Sequence, residues 1–164
     1  MATEGFHEMS EVLNGVVRLL DGLAFQAVSG SGHSVTLDAR PEHGGTDRGA
    51  SPMELILLAL GGCTGITVLD MLRRRRQDGS GYEIRLEGEQ ADAHPRVFKR
   101  IGVEHVIRGR DLDSAVVQRT IELAATRYCP VMAMLGKVAT IDESFRLIDE
   151  ETGADLMGGQ IVNP

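Results

Sequence analysis

Between residues 15 and 38 the apolar positions come in three short bursts, separated by turn residues. Val16–Leu20 and Leu23–Val28 flank Asp21-Gly22, a two-residue hairpin signal. Gly30-Ser31-Gly32 makes a second turn before His33–Asp38, so this stretch predicts an antiparallel meander. Arg40 to Ala50 holds Pro41, Gly44, Gly45 and Gly49 and reads as a loop.

The pattern then changes. Ser51-Pro52-Met53-Glu54 has a cap residue, a proline suited to the first helical position and a carboxylate placed for a capping box. A helix is predicted from there to about Gln77, apolar nearly all round until Leu72. Alternation returns at Tyr82–Glu89, where Tyr82, Ile84 and Leu86 oppose Glu83, Arg85 and Glu87. Phe98–Arg108 predicts a second strand, with Val103, His105 and Ile107 on one face. Asp113 or Ser114 caps a helix to about Tyr128, whose apolar face includes Val117, Ile121, Ala124 and Ala125. Pro130 opens a short helix ending near Gly136, and Val138–Ile148 is again a strand. Residues 150–164, acidic and then glycine-rich, read as a loose tail, and 1–14 as an accessory start.

This order predicts one α+β domain over 1–164, with its core at about 15–148 and antiparallel sheets packed on two long central helices. A three-stranded sheet cannot cover a helix that is greasy on all sides. A homodimer that completes the layers is therefore expected.

Composition narrows the function classes. The net charge of −7 argues against a nucleic-acid or anionic-membrane partner. The first 30 residues lack a basic segment followed by an apolar one, so no secretory leader is expected. The longest apolar stretch, Leu55 to Leu69, is shorter than a bilayer span and carries Gly61, Gly62 and Gly65. A cytoplasmic location follows. There thiols stay reduced, and a cysteine pair is more often catalytic or sensing than structural.

The chain has two cysteines. Cys63 lies twelve residues past Ser51, beyond the reach of a helix N-terminal dipole, so activating it would need a nearby cation. Cys129 precedes Pro130, which disfavours helical geometry at the cysteine and sets it as N-cap of the next helix. Gly61 and Gly65, one turn apart, imply close approach of another backbone, or else a bend or gap beside Cys63. Arg73–Arg76 reads as a solvated helix end. The five histidines, at 7, 33, 43, 94 and 105, show no metal-ligand spacing, and no phosphate loop is present, so no metal or cofactor is expected.

Taken together, the meander, Glu42-His43-Gly44-Gly45, Ser51-Pro52-Met53-Glu54, Gly61-Gly62-Cys63, Gly109-Arg110-Asp111-Leu112 and Cys129-Pro130-Val131 resemble the OsmC/Ohr superfamily. The likeness runs from about Gly15 to Ile148 and is nearest an OsmC-like branch of unsettled activity. It implies an intertwined homodimer and thiol-dependent reduction of a small organic hydroperoxide. Cys63 would be the peroxidatic thiol and Cys129 the resolving thiol, with an external dithiol as reductant. It also implies an arginine that holds the peroxidatic thiol and a carboxylate that positions that arginine. Arg18 is the first choice, with Arg40 and Arg48 as alternatives.

The family places the carboxylate directly after the proline. Here that position is Met53, and the carboxylate is Glu54. On a straight helix Glu54 would lie roughly 13 Å along the axis from Cys63 and on the opposite side. The alternative is a non-enzymatic OsmC-like protein holding a small apolar or thiol-reactive ligand in the dimer cleft.

Overall fold

The computed structural model describes residues 12–77 and 79–161. Most of the accessory start, including His7, lies outside these residues. The chain divides into two compact units, one through Leu55 and one from Ile56 onward.

The first unit is the expected meander. Strands β1 (Gly15–Asp21), β2 (Ala24–Ser29) and β3 (Ser34–Leu37) pair antiparallel in that order. The first hairpin pivots on Gly22-Leu23, one residue later than Asp21-Gly22, because Asp21 pairs with Ala24 and Gly22 takes a φ of +56°. Residues 39–50 are tied down by Asp38, which is only 2% exposed. Its carboxylate accepts hydrogen bonds from the backbone N–H groups of Ala39, Thr46 and Arg48 and from the Thr46 hydroxyl. Burial alone would raise its pKa. The bonds from Thr46, Arg48 and Ala39 outweigh burial and hold the carboxyl below its ordinary value.

Helix α1 (Pro52–Arg74) runs unbroken for 23 residues. The capping box forms as the sequence predicts. Ser51 donates to Glu54 Oε2 through its N–H at 2.7 Å and its hydroxyl at 2.5 Å. The Glu54 N–H donates back to Ser51 Oγ at 3.4 Å. A single chain buries only one stripe of α1, at Leu60, Gly61, Thr64, Val68 and Leu72, while Leu58 and Ile66 stay exposed. The whole helix corrects the reading of Leu55–Leu69 as too short to span a bilayer. With its flanking turns α1 is long and apolar enough to do so by length and composition.

The second unit backs α1 with a four-stranded sheet: β4 (Gly79–Gln90), β5 (Phe98–Gly109), β6 (Thr140–Asp149) and β7 (Asp155–Ile161). Two features depart from the sequence reading. β5 and β6 run parallel, because helices α2 (Ser114–Leu123) and α3 (Pro130–Leu135) make the crossover between them. The expected loose tail is instead β7, antiparallel to β6, with Ile161 in the core. Its glycines hid the strand. Gly158 and Gly159 pair with Arg146 and Phe145, where a Cβ at Gly158 would crowd the Phe145 carbonyl.

The core joins Val68 and Leu72 of α1 to Ile107 of β5, Val117 and Ile121 of α2, and Phe145 and Leu147 of β6. Gly61 and Gly65 seat α1 on β4. A Cβ at Gly61 would lie 2.7 Å from Leu86 Cδ1, and one at Gly65 would lie 2.8 Å from Ile84 Cδ1. Side-chain tips, not a second backbone, lie against these glycines.

Candidate functional site

Cys63 and Cys129 arrive at one place from different elements. Cys63 sits mid-helix on α1, half-buried beside the stripe that faces the sheet. Cys129 comes from the end of the crossover. Asp113 caps α2 by accepting from the N–H groups of Ala115 and Val116. The α-helix expected to reach Tyr128 stops at Leu123 and widens into a π turn over Ala124–Tyr128. The Cys129 N–H closes that turn on the Ala124 carbonyl at 2.8 Å. Pro130 then forces Cys129 into extended geometry (φ −84°, ψ 106°), making it the N-cap of α3 as the sequence predicts.

The Cys129 sulfur is the hub of the site, and the residue is 2% exposed. It accepts from the Met132 N–H at 3.4 Å and lies 3.4 Å from the Thr64 hydroxyl. Cys129 and the Val131 N–H are also the groups that act on the Cys63 thiol. Burial, first, and the bond to Cys129 push the Cys63 thiol above its ordinary pKa; the Val131 N–H works against them.

The site residues of the first unit are arranged as follows. Glu54 pairs with Arg40, whose Nη2 donates to its Oε1 at 3.4 Å. The Ser51 hydroxyl and N–H, and then Arg40, hold Glu54 below its ordinary pKa. Arg48 lies 3.9 Å from Asp21. Arg18 is an exposed β1 residue paired in register with Gln26.

The OsmC-like protein family profile matches residues 44–144, more than half of the chain and inclusive of both cysteines. Protein YhfA of Escherichia coli K12 is 37% identical over 132 residues, covering 80% of this chain and 96% of that protein. The chain belongs to the OsmC-like family. The solved structure of a hypothetical protein from Aquifex aeolicus superposes with a TM-score of 0.76 at 25% identity, covering 87% of this chain and all of that one. An organic hydroperoxide resistance protein OsmC of Legionella pneumophila shares the fold, with a TM-score of 0.64 at 13% identity, covering 83% of this chain and 98% of that one.

Within this OsmC-like fold, a groove of about 490 Å³ runs along α1 from one turn past Cys63. It is lined by Ile66, Thr67, Asp70, Met71 and Arg74, with Tyr128 on its other wall. Its walls are mainly apolar, and its charged end is the Asp70–Arg74 ion pair at 2.9 Å.

Sequence reasoning did not single out Thr64, although the residue lies on the buried stripe between Gly61 and Val68, beside Cys63. It also missed a second buried polar group. His105 bridges the Tyr82 hydroxyl, 2.5 Å from Nδ1, and Glu143 Oε1, 3.3 Å from Nε2, with His105 and Glu143 fully buried. The legible signal was Glu143 in phase with Ile141, Phe145 and Leu147 on β6. Burial, and then the Glu143 carboxylate, push the Tyr82 phenol up.

Proposed function

We propose that this OsmC-like protein is a cytoplasmic, thiol-dependent reductase of small organic hydroperoxides that acts as a homodimer. The observation that carries this reading is that two cysteines 66 residues apart in sequence come together: the Cys129 sulfur lies 3.4 Å from the hydroxyl of Thr64, the residue after Cys63, and acts on the Cys63 thiol. The Cys63 thiolate attacks the terminal peroxide oxygen and the O–O bond breaks. The alcohol leaves with a proton, and Cys63 becomes a sulfenic acid. The Cys129 sulfur attacks that sulfur, water leaves, and a disulfide forms. An external dithiol reduces it and is itself oxidised to a disulfide.

Burial works against the thiolate at Cys63, so this reading requires a cation. Arg18 is the first choice of source, with Arg40 and Arg48 as alternatives. Members of the superfamily are dimers. The exposed Val16, Val17, Leu19 and Leu20 of β1 and Leu58 and Ile66 of α1 support an apolar contact with a second copy here.

Turnover of cumene hydroperoxide with reduced lipoamide or dithiothreitol, lost in Cys63→Ser, is the expected result. No consumption, with Cys63 left as a free thiol by mass spectrometry, overturns the reading. Replacing Arg18, Arg40 and Arg48 singly by Ala tests the cation, and Arg18→Ala is expected to slow the peroxide step most.

A second reading is favoured by the raised Cys63 thiol and the apolar groove that begins one turn further along α1. The protein would then hold a small apolar or thiol-reactive ligand without turning it over. Wild-type ligand affinity in Cys63→Ser supports that reading.

A further inference from the structure

We infer that Thr64 is a positioning residue for Cys129, setting the sulfur that closes the disulfide. The inference rests on assigning Cys129 as the resolving thiol. A helical threonine ordinarily returns its hydroxyl to the carbonyl four residues back. Thr67 does so to Cys63 at 2.9 Å, Thr120 to Val116 at 2.7 Å and Thr126 to Glu122 at 2.7 Å. Thr64 is fully buried, yet among the described residues its hydroxyl has one side-chain partner, the Cys129 sulfur at 3.4 Å.

That choice has a chemical consequence. Cys129 must attack along the axis of the bond being broken on Cys63. Its sulfur is fixed from two sides, by the Met132 N–H and by a hydroxyl carried on the residue after Cys63. Thr64 thereby ties the attacking sulfur to the helix that carries its target. As negative charge builds on Cys129, the hydroxyl can donate to it, and hydrogen bonds to charged partners are the stronger kind. A buried hydroxyl with no acceptor would be costly, so the contact also fixes the Thr64 rotamer.

The test uses a disulfide reagent and no peroxide. Cys63, the more accessible thiol, attacks Ellman's reagent, forms a mixed disulfide and releases one thionitrobenzoate. Cys129 then attacks the Cys63 sulfur, loses its proton to solvent, forms the protein disulfide and releases a second thionitrobenzoate. In Thr64→Val, which keeps the shape and loses the hydroxyl, the second release is expected to slow about ten-fold, the scale of one hydrogen bond to a charged group. The first release should hold its wild-type rate, and Thr64→Ser should restore the second. Thr64→Ala, read in the same two phases, serves if the valine variant does not fold.

A second phase unchanged in Thr64→Val, both phases slowed alike, or no second phase in the wild type would each overturn the inference. Parallel trapping of the sulfenic acid with dimedone after cumene hydroperoxide separates the two claims. A wild type that forms no sulfenic acid, while Thr64→Val slows the second release, removes the peroxidase reading and leaves this one standing. A wild type that turns over peroxide, with Thr64→Val indistinguishable from it, removes this inference alone.

Discussion

The Arg40 guanidinium stands 3.4 Å from the Glu54 carboxylate at the point where the glycine-containing loop feeds the long helix. The same carboxylate accepts both the N–H and the hydroxyl of Ser51. One side chain thus closes a helix cap and holds an arginine. The two roles differ in energy: a helix cap contributes about 1 kcal/mol, and a half-exposed ion pair about 0–1 kcal/mol.

Glu54→Ala is therefore expected to lower the melting temperature more than Arg40→Ala does. Because Glu54 is held below its ordinary pKa, its contribution is present above the unfolded-state value. It is lost as pH falls through the folded one. The gap between wild type and Glu54→Gln should narrow as pH drops below about 4. A thermal unfolding series from pH 3 to 7 checks both. An Arg40→Ala loss exceeding that of Glu54→Ala would mean that Arg40 stabilises the chain through something other than its pairing with Glu54.

Asp38 is the organiser of the loop that carries Arg40 and Arg48. Its four hydrogen bonds all require an acceptor, and Asn at this position would turn an NH₂ group towards donors. Asp38→Asn should strip hydrogen-exchange protection from the Thr46 and Arg48 amides while leaving the β4–β7 sheet protected. Acid should do the same to the wild type. The Asp38 pKa is depressed in the folded chain, so the clamp persists above the ordinary carboxyl value and releases as pH falls through the lowered one. Protection at Thr46 that is unaltered in the variant would assign the loop's order to its glycines instead.

The three α1 glycines should respond in opposite directions to alanine. Gly61→Ala and Gly65→Ala press a Cβ onto Leu86 and Ile84 and should destabilise by about 1–3 kcal/mol through overpacking. At Gly62 a Cβ meets nothing within 4 Å. Within one chain Gly62→Ala should therefore gain about 0.5–1 kcal/mol of helix propensity, a gain that a second copy packed on Leu58 and Ile66 would oppose. Chemical denaturation of the three variants measures the contrast. Equal effects would mean that α1 does not seat on β4 through these positions.

The sequence was most legible where local rules act alone. The Ser51–Glu54 box, the Pro130-driven cap at Cys129, the Asp113 cap and the alternation of β4 are all short-range, and each is observed. It was least legible where a residue's partner lies far along the chain. β7 reads as a polar glycine tail until Glu143–Ile148 offers it an edge to pair with. The π turn before Cys129 depends on a backbone bond from Cys129 to Ala124, which periodicity does not encode. Thr64 looks like any helical threonine until its hydroxyl is seen to pass over the carbonyl four residues back and reach Cys129.

The Cys63 thiol gives the most direct reading of the site's electrostatics. Four influences set it: burial first, then the bond in which its S–H serves Cys129, both holding the proton, the Val131 N–H opposing them, and last the charge interaction with Cys129, which also holds the proton. Removing the second and last influences in Cys129→Ala should move the midpoint of its pH-dependent alkylation by iodoacetamide downward, while burial continues to hold it up. The sign for stability follows from the same shift. With the folded pKa above the unfolded one, the contribution of the buried neutral thiol is complete below about pH 8.5 and declines as pH rises from there. The wild type should accordingly lose more thermal stability than Cys63→Ala between about pH 8 and 10. Identical slopes for the two would show that the Cys63 proton is not linked to folding. An upward midpoint in Cys129→Ala would mean that Cys129 had been acting on Cys63 as a hydrogen-bond donor rather than as an acceptor.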